Sequence, residues 1–254
     1  MFNIPKVLEL TIHNGTCLLT GKRIGPQTGY LADFERYEEF ERASATQMDH
    51  FIEKMVRLCD IVDRIHAQIL PSPFLSSVVD DCLARGTDVT ASGARHNFSG
   101  IQAIQVANVA DSLAVIKKLV FEDRTLPAQQ LQKALQTNFE GREALRQRVI
   151  HHVPKYGNDV EWVDRLGLQW IRFFANRLQA YRNARGGTYH VGLYTVSAHV
   201  PMGKNVGAGA DGRLAGKPLA DGDVSPSYVR DQVPFYSRSP ESTRNWAVTV
   251  LYSI

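Results

Sequence analysis

Residues 183–222, NARGGTYHVGLYTVSAHVPMGKNVGAGADGRLAGKPLADG, hold nine of the chain's nineteen glycines. Between the glycine clusters lies a strand-like run, residues 189–200, rich in Val, Tyr and Thr. Glycines on both sides of a buried strand mark tight turns and close backbone approach, as where a loop wraps an active site. Spacing alone leaves a glycine-rich surface loop equally open.

Working outward, most of the chain reads as helix. Residues 6–11 form a short helix stopped at Asn14-Gly15. Residues 33–70 are the strongest helical segment: Asp33 can cap it, and Phe40, Phe51, Met55, Leu58, Val62, Ile65 and Ile69 recur at three- and four-residue spacing. Pro71 and Pro73 end it. Residues 75–85 form a second helix closed by Gly86, and residues 112–121, 128–136, 142–150 and 159–181 give four more. Residues 101–106 and 189–200 are the strands. The long connectors 93–100 and 203–225 are held only by their turns, a mark of functional loops.

Composition narrows the class. With 44% hydrophobic and 22% charged residues over 254 positions, the chain can bury a sizeable core. A net charge of +3 without a Lys/Arg run offers no nucleic-acid face. Three cysteines argue against a disulfide framework. No apolar run reaches a membrane span, no charged-then-apolar signal opens the chain, and no 20- to 50-residue period recurs. A cytoplasmic globular protein is the expectation.

Further blocks extend the opening stretch upstream: FNIPKVLELTIHNG (2–15), LTGKRIGPQTG (19–29), LPSPFLSSVVDDCLARGTDVT (70–90), GARHNFSGIQ (93–102), ANVADSLAVIKKLVF (107–121), NFEG (138–141) and VPKYGND (153–159). In this order, and followed by GLYTVSAHVP, VGAGADGR and GKPLADGDVSP, they resemble the glycyl radical enzymes, the pyruvate formate-lyase family. ANVADSLAVIKKLVF and GLYTVSAHVP lie closest to its glycerol and diol dehydratase-like branch. The resemblance implies a helix-rich α/β fold, part of a ten-stranded barrel wrapped in helices. It covers residues 1–231 as a partial pyruvate formate-lyase domain. The activity implied is a lyase or dehydratase acting on a small hydroxylated substrate.

The same resemblance implies chemistry that these 254 residues do not contain. The family stores a radical on a C-terminal glycine and relays it through a cysteine in a Gly-Cys-Val-Glu loop; neither pattern is present. No catalytic residue is therefore assigned, and the chain is expected to be inactive alone. The radical would be installed anaerobically by an iron–sulfur, S-adenosylmethionine-dependent activating enzyme, and the chain itself needs no metal or other cofactor. Two other readings stay open, one half of a split enzyme completed by a partner chain, or a binding module that kept part of the fold. His199 to Pro201, with Ala198, fall where the dehydratase-like enzymes line the barrel interior. Ala198, His199, Val200 and Pro201 are thus the substrate-pocket candidates, and strand alternation would send Ala198 and Val200 to one side. The alternative is that they pack the barrel core.

Other chemistry-bearing residues read as structural. Asp80-Asp81 diverge by about 100° on a helix and form a solvated face. His151-His152 lack the i,i+4 spacing and third ligand of a metal site. His96 and His199 have no nucleophile to serve, and His96 reads as structural. Cys17, Cys59 and Cys82 read as small buried hydrophobes. Asp211-Gly212-Arg213 reads as a turn with an ion pair, loosened by Gly209-Ala210 where the family carries Thr-Pro. Residues 232–254 show neither period. With chosen codons, a one-base shift turns positions 244–252 into the family's Asn-Gly-Thr-Leu block, so this tail is expected to be a frame-shifted extension.

Overall fold

The structure is a computed structural model that describes residues 1–193 and 197–220; the tail at 232–254 lies outside the described residues. Three parallel strands make its sheet, β1 (Phe2–Asn3), β2 (Ser99–Ile104) and β3 (Tyr189–Gly192), side by side in sequence order. Phe2 pairs with Ala103 and Asn3 with Ile104; Ser99 pairs with Tyr189 and Gln102 with Gly192. Parallel neighbours need long crossovers, and here helices supply them.

The first crossover holds α1 (Ile4–Ile12), α2 (Tyr37–Ile69), α3 (Pro73–Val78) and α4 (Cys82–Arg85). Asn3 caps α1 by accepting from the Lys6 amide at 3.3 Å, and Asn14 and Gly15 leave it at positive φ. Asp33 does not start α2. Its carboxylate turns back to the Tyr30 amide at 2.8 Å, and Glu39 accepts from the amides of Glu35 and Arg36 at the true start. The single helix expected over residues 75–85 is broken at Asp81, whose left-handed φ of 74° separates α3 from α4. Asp81 there holds Arg85 and Arg95 at 3.1 and 2.9 Å, so the acidic pair sits at a helix break and not on a continuous face.

The second crossover holds α5 (Val106–Val115), continued as π-helix over Ile116–Glu122, then α6 (Ala128–Gln136), α7 (Glu143–His151) and α8 (Glu161–Gln179). All ten residues of α5 are buried, which makes it the inner helix of the layer. The α5–α8 contact closes on Gly167, where a Cβ would lie 3.0 Å from the Tyr156 ring and 3.1 Å from Val106. One face of the sheet, Phe2, Ile101, Ala103, Tyr189 and Val191, joins this main core, with Phe2 against Phe174 at 4.7 Å.

The expected strand at 101–106 is shifted, because Gln105 adopts φ 69° and ends β2 at Ile104. The strand expected over 189–200 is also corrected. β3 stops at Gly192, and residues 199–203 form a short helix, α9 (His199–Gly203). Pro201 suits the helix, since it cannot donate to a ladder but costs nothing in the first turn of a helix.

Candidate functional site

The glycine-rich stretch serves both ends of the sheet. At the amino ends of the strands, Asn183 donates to Asn97 O (2.6 Å) and Ser99 Oγ (2.9 Å) and accepts from the Gly187 amide (2.8 Å). Arg185 reaches Asp63 of α2 at 2.7 Å and Phe98 O at 3.0 Å. Only glycine fits at 187, because a Cβ there would fall 1.8 Å from Asn97 O. NARGG is thus a clamp holding β2 and β3 in register.

The pocket candidates lie at the opposite, carboxyl ends. Asn3, the last residue of β1, donates to Met202 O of α9 at 3.2 Å. Ala198 is buried in a small cluster with Ile104 and Leu219, on the sheet face opposite the main core. His199 O accepts the Leu219 amide at 3.1 Å, which folds the following loop back under α9. The helical turn separates Ala198 from Val200: the first is buried, while Val200 and Pro201 are exposed. Strand alternation therefore does not hold here, and Ala198 and Val200 face different ways.

The structure adds two residues at this end that composition did not single out. Gln102 shares its strand face with Ile104, and its amide lies over Gly192, where a Cβ would meet Gln102 Oε1 at 2.4 Å. That oxygen is buried without a hydrogen-bond partner. Gln105, just past β2, is buried with both amide atoms unpaired. Period-two reading of SGIQAI would have put Gln102 opposite the core face.

The glycine loop that follows α9 is held by buried polar side chains from distant blocks. Glu9 of α1 accepts from Lys6 Nζ (2.7 Å), the Leu18 amide (2.8 Å) and the Gly207 amide (2.8 Å). Asn108 donates to Asp211 Oδ2 and accepts from the Ala220 amide, both at 2.7 Å, and the Asp211 amide donates to Ser112 Oγ at 3.2 Å. Asp111 accepts from the Tyr156 amide at 2.7 Å. Burial pushes the Lys155 ammonium down against the pull of Asp111 and Asp211, and it donates to Val149 O at 2.9 Å. The turn at Asp211-Gly212-Arg213 forms, with Gly212 at φ 93°, but its expected ion pair does not. Arg213 instead donates to the carbonyls of Val206, Gly207, Leu214 and Lys217. The cavity between this loop, Glu9 and Asn108 is about 20 Å³, room for one water, so here the glycines serve packing.

The remaining candidates take structural places. His96 stacks on Phe98 at 5.6 Å, and Phe98 meets His190 at 4.2 Å. His151 contacts Gln147 at 2.9 Å. Cys17 and Cys82 are buried as expected and Cys59 only half-buried, and Cys17 also accepts a hydrogen bond from Lys6 Nζ at 3.0 Å. Burial pushes the Cys17 thiol up, and hydrogen bonds from Thr20 and Lys6 outweigh it and hold the group below its usual range. His13, unremarked in the sequence, is buried with both ring nitrogens unpaired, and burial, then Lys6, lower its pKa to about 4. Among the described residues no three His, Cys, Asp or Glu side chains converge as a metal site, and no helix is long and apolar enough to cross a membrane. A roomier cleft of about 450 Å³ lies between α2 and α8, lined by Glu38, Glu41, Trp170 and Phe173, away from α9.

Known proteins share this fold. Trans-4-hydroxy-L-proline dehydratase of Clostridioides difficile is 36% identical over 224 residues, 88% of this chain and 28% of that protein. The glycerol-bound B12-independent glycerol dehydratase from Clostridium butyricum superposes with a TM-score of 0.83 at 38% identity, over 87% of this chain and 28% of that one. A structure of 1,2-propanediol dehydration in Roseburia inulinivorans gives 0.85 at 40% identity, over 91% and 30%. The chain therefore spans less than a third of these relatives, and its three strands and helices match a portion of a glycyl radical α/β barrel. Residues 1–203 match the pyruvate formate lyase-like family, and the chain belongs to it.

Proposed function

We propose that this chain forms a section of the barrel of a glycyl radical dehydratase or lyase acting on a small hydroxylated substrate. Ala198, His199, Val200 and Pro201 form part of the substrate wall in this reading. The observation that carries it is the position of α9 at the carboxyl ends of β1 and β2, the edge at which open α/β sheets bind ligands. The unpaired Gln102 Oε1 and the unpaired amide of Gln105 at the same edge suit a ligand rich in hydroxyls, since a buried polar group without a partner is costly. The names of the relatives, dehydratases of hydroxyproline and of (2S)-3-sulfopropanediol, support the same substrate class. In this reading the radical, its activating enzyme and the relay cysteine act on parts of the fold outside residues 1–254, and these residues shape and orient.

The test is a chimera. Residues 1–220 replace the matching segment of the Clostridium butyricum glycerol dehydratase, and the product is activated anaerobically. Dehydration of a small diol is the expected result, and Gln102→Leu in the chimera should raise KM roughly tenfold, the loss of about one hydrogen bond. Formate release from pyruvate with no activity on diols would overturn the assignment.

A further inference from the structure

The core side of α2 ends early. Its last fully buried residue is Val56, yet the helix continues to Ile69, and its apolar pattern continues with it. At 3.6 residues per turn, Leu58, Ile61, Val62, Ile65 and Ile69 fall within an arc of about 100°, on the side away from Val56 and Asp63. All five are exposed, Ile69 at 67%. The surface runs on past Leu70 into α3 and α4, where Phe74 is 84% exposed and Leu83 73%. Some of the nearby charges are paired within the chain, Asp63 with Arg185 and Asp81 with Arg85 and Arg95. Seven large apolar side chains left exposed on three successive helices are the kind of surface that marks an interaction site. A helix apolar on two sides belongs between two layers, and among the described residues only one layer packs against α2.

We infer that this second face of α2, with α3 and α4, is the seam against which the remainder of the glycyl radical fold docks. Two facts argue for this occupant: the chain matches only 28–30% of the solved relatives, and these apolar side chains of α2, α3 and α4 are exposed among the described residues. The inference rests on family membership and not on the substrate reading.

Co-expression tests it. This chain is produced together with the rest of the Clostridium butyricum glycerol dehydratase as a separate, tagged chain, and stoichiometric co-purification is measured. The wild-type chain should be retained. The Ile65→Glu/Phe74→Glu variant should be retained at least tenfold less, with an unchanged helical circular dichroism signal, because both side chains are exposed. Arg64→Glu, on the polar side of α2, should be retained like wild type. Three results would overturn the inference: no stoichiometric complex with the wild-type chain, equal retention of the double glutamate variant, or a discrete homodimer in analytical ultracentrifugation that the variant abolishes. The last would make a second copy the occupant. None of these results would remove the family assignment, which stands on sequence identity.

Discussion

At the scale of single residues, Glu9 is the most exacting group in the chain. Its carboxylate accepts from three donors on three separate segments, and it is almost fully buried. Glu9→Ala leaves two amides without a partner and should cost about 3 kcal/mol or more, read as a lowered urea midpoint. His13 gives a pH dependence of definite sign. Its pKa is about 4 in the folded chain against the ordinary 6.5, so above pH 6.5 it is neutral in both states and contributes nothing. As the pH falls from 6.5 toward 4, the unfolded chain takes up a proton that the folded chain refuses, and stability drops by up to roughly 3 kcal/mol. Thermal melts across that range should show the decline, and His13→Gln should flatten it. A profile unchanged by that substitution would show that His13 is not the group responsible.

At the scale of elements, the α5–α8 contact sets the thickness of the helix layer. Gly167 leaves no room for a larger side chain beside Tyr156, Val106 and Ala110, so Gly167→Val should destabilise by about 2–3 kcal/mol in chemical denaturation. Three helices are legible in the sequence, since the expected 128–136 coincides with α6 and the bounds of α7 and α8 agree to within two residues, whereas the helix expected at 112–121 begins six residues earlier, at Val106. β1 is not legible, since two residues carry no alternation. The run at 189–200 had β-branched and aromatic composition, but the proline at 201 was the better guide to where the strand had to yield. Gln102 was readable from period two, whereas Glu9, Asn108 and Asp111 were not. Each has a partner outside any local window, 198 residues away for Glu9, 103 for Asn108 and 45 for Asp111.

At the scale of the whole molecule, the chain matches only a portion of a barrel. The 254 residues alone, supplied with an activating enzyme under anaerobic conditions, should give no dehydratase, lyase or formate acetyltransferase activity, because no radical relay residue was found in them. A protein-centred glycyl radical signal with turnover would reverse that expectation. The bond between Glu9 and Gly207 also has a consequence for how the chain is made. The carboxylate leaves the ribosome 198 residues ahead of the amide it will accept from. At about 5–20 residues per second, that lead is roughly 10–40 seconds of elongation. Throughout that time the carboxylate has Lys6 and the Leu18 amide as partners, and the third of its hydrogen bonds, the one that ties α1 to the glycine loop, is the last to form.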